Sequence, residues 1–303
     1  MPNNDPSAHV TPIVDSHHHI WLLKDIPWLQ GPTLPRIFGD YTAMKCDYTG
    51  EDYVHDLQSH SVVKSVYVQA NWANSKALEE VQWVQSVADR IGYPQAIVGY
   101  ADIAAPDLGH LLDEQMKCKN FRGIRQQLHW HQNPQYRFAS TPDLMKSKQW
   151  VNGFREIAQR DLSFELQIFS NQMADGYDLV MQFPKTQFIL THSGMLESTQ
   201  PEDLGRWREG MSKLATCPNL FVKLSGFGTF EHKCERHLWE PIVDEVIALF
   251  GSKRCMFGSN FPVEKLWTNY AQMIAVIRQC LQKYPLSVQQ DVLNAVAAQV
   301  YKI

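Results

Sequence analysis

Ile13-Val14-Asp15-Ser16-His17-His18-His19-Ile20-Trp21 is the stretch on which the fold is decided. Its apolar start reads as a buried strand over Ile13–Ile20. Side chains alternate along a strand, so Asp15, His17 and His19 should share one face, with Ser16 and His18 on the other. A doubly wound open sheet would carry a Gly-rich turn after its first strand. Here the turn is His-His-His-Ile-Trp, which instead suits the C-terminal mouth of a (β/α)8 TIM barrel, where such barrels keep their chemistry.

Seven further short apolar runs follow: Ser65–Asn71, Ala96–Ile103, Phe121–Leu128, Ser163–Phe169, Gln187–Gly194, Leu220–Gly226 and Cys255–Phe261. Between and after them, helical spacing covers Lys76–Arg90, Asp107–Lys117, Asp143–Arg160, Gln172–Gln182, Pro201–Ala215, Arg236–Phe250 and Tyr270–Lys283. Eight strands alternating with helices call for a parallel sheet, and eight is the number that closes into a barrel. The whole chain, 1–303, reads as one such α/β domain, with 1–12 as a flexible N-terminal extension. Two irregular segments leave strand ends. Ile20 to Thr49 holds Pro27, Pro32 and Pro35, which forbid a regular helix, and His129 to Pro142 is polar and aromatic. Both are expected to fold over the strands' C-terminal ends as pocket walls.

A net charge of −4 with no cluster of Lys or Arg speaks against a nucleic-acid groove or an anionic membrane surface, leaving a small molecule as the expected partner. Met1 to Val10 has no apolar core of a signal peptide, and no run approaches the roughly 18 apolar residues of a spanning helix. The six cysteines are far apart without a C-x-x-C pair, so they read as reduced thiols of a cytoplasmic protein. No residue pattern fixes an oligomeric state.

The candidate site begins with His17 and His19, set against a purely structural hydrogen-bonded cluster. His192, before Gly194 at the end of the sixth strand, supplies a third imidazole. Arg125 alternates with Gln127, His129 and His131; it suits a substrate carboxylate or hydroxyls, or else a structural ion pair with Glu165. Glu165 and Gln167 share a face of strand five, Gln69 and Asn71 end strand two, and Asn260 stands at the mouth of strand eight. There is no G-x-S-x-G elbow, phosphate loop or dinucleotide fingerprint.

Together these residues resemble the amidohydrolase superfamily (amidohydrolase 2 type), and within it the lactone-hydrolase branch of L-fuconolactonase and 2-pyrone-4,6-dicarboxylate lactonase. The resemblance is carried by Asp15-Ser16-His17-His18-His19-Ile20-Trp21, Gly123-Ile124-Arg125, His192-Ser193-Gly194, Val222-Lys223-Leu224-Ser225-Gly226 and Met256-Phe257-Gly258-Ser259-Asn260-Phe261-Pro262-Val263. It implies a hydrolase opening a lactone of a sugar acid or an aromatic breakdown product. His17, His19, His192, Glu165 and Asn260 would be catalytic, while Arg125, Gln69, His129 and Trp21 would bind substrate. It also implies either one divalent metal, zinc or manganese, on His17, His19 and His192, or none. The superfamily's strand-eight residue is usually an Asp acting as general base. Asn260 stands there in this chain, and an amide cannot take a proton at neutral pH. His192 or Glu165 would then activate water, with His17 and His19 polarising the carbonyl. A metal-dependent decarboxylase or lyase and a catalytically silent binding protein are the alternatives.

Overall fold

A computed structural model describes residues 10–58 and 60–303. The strands are β1 (Ile13–His18), β2 (Val62–Val68), β3 (Ala96–Gly99), β4 (Phe121–Ile124), β5 (Ser163–Leu166), β6 (Phe188–Leu190), β7 (Leu220–Leu224) and β8 (Cys255–Phe257). They form one parallel sheet in sequence order, with registers such as Phe164 opposite Phe188 and Leu224 opposite Phe257. The first and last strands meet through backbone bonds from Asn260 N–H to the His17 carbonyl and from His19 N–H to that of Phe261, both 2.7 Å. The expected (β/α)8 barrel is what the chain forms.

Helices follow each strand in turn: α1 (Gly50–Leu57), α2 (Ala77–Ile91), α3 (Leu108–Gln115), α4 (Lys148–Gln159), α5 (Met173–Gln182), α6 (Pro201–Ala215), a short α7 (Gly228–Glu231) with α8 (Arg236–Phe250), and α9 (Tyr270–Leu281). The chain ends in α10 (Leu286–Gln290), a π-helical turn and α11 (Val296–Val300). Neither α1 nor this terminal segment was among the expected helices. Both carried signals: Thr49 and Asp52 form a capping box at α1, and Val288, Val292, Val296 and Val300 recur every four residues. Among the described residues no helix is long and apolar enough to cross a membrane.

Two cores result. The larger lies between the barrel and its helices and includes Trp150, Phe154, Phe164 and Phe188. The smaller fills the barrel, where Val14, Val66, Val98, Ile189, Phe221 and Met256 meet Val296, Ala297, Val300 and Tyr301. Several of these come from strand starts, so the terminal helix closes the end away from the mouth. Of the expected N-terminal extension, 1–9 lie outside the described residues. Thr11 is held in place, buried, with its carbonyl accepting from Arg278 at 2.7 Å. All six cysteines are free.

The strands stop before their expected ends because the backbone turns away at the mouth. Asn71, His192, Ser193, Met195 and Asn260 all take positive φ, a conformation costing non-glycine residues about 1–3 kcal/mol each and typical of functional sites. In β1 the pairing with β2 shifts between Asp15 and His18, and this bulge breaks the simple alternation. Asp15 therefore does not share a face with His17 and His19. Its carboxylate accepts from the Tyr53 and Tyr270 hydroxyls of α1 and α9 and from Ser259, while His18 stacks on Tyr53 with centroids 3.7 Å apart.

Candidate active site

The expected pocket walls are where they should be. A pocket open to solvent lies at the strands' C-terminal ends. Trp21, Trp28, Arg36 and Phe38 of the first segment line it, as do Gln135, Tyr136 and Phe138 of the second. The Gln135 amide donates to the Arg36 carbonyl at 3.1 Å and joins the two. Thr229 and Phe230 of α7 add a third wall.

The floor carries His19, Arg125, Gln127, His129, Gln167, His192 and Asn260. Arg125 is almost fully buried, donating to the Gln69 carbonyl at 2.5 Å and to Gln167 Oε1 at 3.3 Å, with Nε unpartnered. Among the described residues it makes no salt bridge, so the considered ion pair with Glu165 is not formed. Burial lowers its pKa to about 10, leaving it a cation. Gln69 does not reach the wall. It serves instead as the backbone acceptor that aims Arg125, while Ala70 and Asn71 line the pocket.

His19 donates from Nδ1 to the Val68 carbonyl at 2.6 Å, because a carbonyl can only accept. Burial, then the Arg125 charge, pushes its pKa down to about 3, so the ring is neutral and its Nε2 is a lone-pair acceptor. His192 sits on a left-handed turn (φ 54°), held by the Trp207 indole donating to the Ser193 carbonyl at 2.8 Å. Its Nδ1 lies 2.9 Å from Ser225 Oγ. A side chain at Gly226 would come within 2.5 Å of the His192 ring, so the glycine of the Leu224-Ser225-Gly226 motif makes room for that imidazole.

His17 is brought to the cluster but not to the wall. Its ring centroid lies 5.0 Å from His19 and 4.8 Å from His192, fully buried beneath them, with Nε2 unpartnered. Glu165 does not reach the pocket either. Its carboxylate accepts from Lys223 Nζ at 2.7 Å, from the Tyr301 hydroxyl and from Thr191 at 3.3 Å. A base so committed cannot meet a pocket water, so the structure removes Glu165 from the expected water-activating role.

Two ionisable groups carry no role in the sequence reading, although Lys223 stands within the Val222–Gly226 motif. Lys223, wholly buried, is brought to the floor by β7 and reaches to 3.5 Å from His17 Nδ1. Glu264 lies behind Asn260, which donates to it at 3.5 Å, and accepts from the Trp267 indole at 2.7 Å; burial raises its pKa to about 7. Its signal was only its position four residues after Asn260.

Among the described residues no group of three or more His, Cys, Asp or Glu side chains is arranged to hold a metal ion. The three imidazoles stand beside two buried cations, of which Lys223 is paired with Glu165 and Arg125 with no carboxylate among the described residues, and position 260 offers an amide where a carboxylate would neutralise charge. With these groups so charged, the residues do not fit a divalent ion.

Comparison with known proteins agrees with this architecture. An uncharacterized protein of Sinorhizobium fredii, y4mH, is 37% identical over 293 residues, covering 96% of this chain and 98% of its own. L-fucono-1,5-lactonase of Burkholderia multivorans is 25% identical over 305 residues, 96% of each chain. The crystal structure of a zinc-bound amidohydrolase from Burkholderia multivorans superposes with a TM-score of 0.82 at 22% identity, over 96% of this chain and 99% of that one. The Amidohydrolase family model matches residues 14–303, and the chain belongs to that family.

Proposed function

We propose that this protein is a hydrolase that opens a small lactone by attack of water on the ester carbonyl. One observation carries the reading: the buried guanidinium of Arg125, in direct ion pair with no carboxylate among the described residues, faces the same pocket as His19, His192 and Asn260. The similarity to L-fucono-1,5-lactonase supports the reaction class. Arg125 binds the carbonyl side of the substrate and takes up the charge developing on its oxygen, an effect worth about 3–4 kcal/mol per lost donor. His192, with its Nδ1–H placed toward Ser225 Oγ, which can accept it, offers Nε2 to one hydrogen of the attacking water, and the Asn260 carbonyl oxygen accepts the other. Water oxygen bonds to the carbonyl carbon and its proton passes to His192. Collapse breaks the ring C–O bond, and His192 returns the proton to the leaving alkoxide. Trp21 and His129 form the wall against the ring. The test is a lactone panel of sugar-acid and pyrone types on the purified protein. Failure to open any of them ends the reading.

Two pH predictions follow from this geometry. Burial, then Arg125 and Lys223, hold His192 well below its ordinary 6.5. A base must be neutral, so activity is present above its pKa and lost as pH falls through it. The ascending limb of kcat/KM should therefore lie well below pH 6.5, and a limb at or above 6.5 would remove His192 from the role.

Asn260→Asp restores the superfamily's carboxylate, but next to Glu264. Two carboxyls about 3.5 Å apart cannot both ionise easily and will share a proton. The variant should match or exceed the natural enzyme only above about neutral pH, with a new ascending limb displaced upward from the parent's. Superimposable pH profiles would show that Glu264 does not sense position 260.

A further inference from the structure

Beneath the pocket floor lies a buried arrangement that this catalytic scheme leaves unused. Lys223 Nζ sits 2.7 Å from Glu165 Oε1 and 3.5 Å from His17 Nδ1, all three side chains wholly buried. The Tyr301 hydroxyl and Thr191 complete the shell around Glu165. An ammonium has hydrogens and no lone pair, so toward His17 it can only donate. The ion pair with Glu165 keeps it an ammonium. His17 Nδ1 must then be the acceptor, and its ring proton resides on Nε2, the atom that has no partner, in a ring whose centroid lies 5.0 Å from that of His19 and 4.8 Å from that of His192.

His19 is the opposite case. Its Nδ1 faces the Val68 carbonyl, so Nε2 is bare. Two imidazoles of the same D-x-H-x-H stretch, with ring centroids 5.0 Å apart, therefore present opposite chemistry: a donor from His17 and an acceptor from His19. The difference comes from what stands behind each ring, a cation or a carbonyl. Metal-ligating histidines ordinarily back onto an acceptor such as a carboxylate or carbonyl, which leaves the far nitrogen bare for the metal. His19 has such a backing and His17 has the reverse.

We infer that Lys223 is a positioning residue that fixes the His17 tautomer with the proton on Nε2. It thereby makes His17 a donor and not a bare ligand beneath His19 and His192, which disfavours a divalent cation among the three imidazoles. Only when the ammonium is absent can His17 turn a bare Nε2 toward a metal ion. This deepens the hydrolase reading, yet its readout does not depend on whether any lactone is opened.

The test is 15N NMR of histidine-labelled, chelator-treated protein at neutral pH, with His17 assigned by its loss in His17→Gln. The expected spectrum shows His17 with Nδ1 unprotonated and Nε2 protonated, and His19 with the reverse pattern. A bare Nε2 on His17 would overturn the inference. The double variant Lys223→Met/Glu165→Gln removes the donor without stranding a charge. In it the His17 pattern should shift toward protonated Nδ1, and zinc, titrated by calorimetry, should bind at least about tenfold more tightly than to the natural protein. Unchanged tautomers and unchanged zinc affinity in a folded double variant would equally overturn it. If the variant does not fold, the spectrum of the natural protein decides alone.

Discussion

Arg125→Ala should lower kcat/KM for the true substrate by about 10² to 10³, the range seen when a donor to a developing oxyanion is removed. The loss should fall on kcat as well as KM, because the guanidinium is asked to hold the carbonyl oxygen more strongly as charge builds on it. Arg125→Lys is the informative companion. It keeps a positive charge but lacks the planar fork, whose two arms here are spent on the Gln69 carbonyl and Gln167. Its ammonium is a single point donor that cannot reproduce the two separated arms held by Gln69 and Gln167, so most of the loss should persist. Steady-state kinetics on both variants, with circular dichroism to confirm the fold, measures this. An Arg125→Ala protein of near-natural activity would sink the assignment of the pocket floor.

Lys223→Met should destabilise the protein by about 3–5 kcal/mol, because it strands the Glu165 carboxylate in a site with no access to water. For a chain of this size that lowers Tm by roughly 10 °C. Tyr301 and Thr191 would still donate to Glu165, but two neutral hydroxyls do not replace an ammonium. Adding Glu165→Gln removes the stranded charge and should recover most of the loss. Calorimetric melting of the two proteins distinguishes the cases. Equal Tm values for Lys223→Met and the natural protein would show that the pair contributes no net stability.

The barrel could be read along the chain because its signals are local. Strand cores such as Val62–Val68 and Phe188–Leu190 are short runs rich in β-branched, aromatic or other apolar residues, and helices such as Pro201–Ala215 and Arg236–Phe250 begin and end where their spacing does. The mouth was legible for the same reason, since His19, Arg125, His192 and Asn260 stand at the ends of strands. Alternation failed where it met a bulge at Asp15 and left-handed turns at His192 and Asn260. These are choices of backbone made by long-range contacts, such as the Trp207 indole on the Ser193 carbonyl.

The sequence by itself therefore determined the fold, the end of the barrel that holds the pocket and the family to which the chain belongs. Which imidazole lies on the wall and which beneath it, that Glu165 belongs to Lys223 rather than to water or to Arg125, and that Glu264 stands behind Asn260 were decided only by the tertiary structure. The reason is physical: a side chain's charge state and proton position depend on the groups packed against it. For His17 that group is Lys223, 206 residues away along the chain.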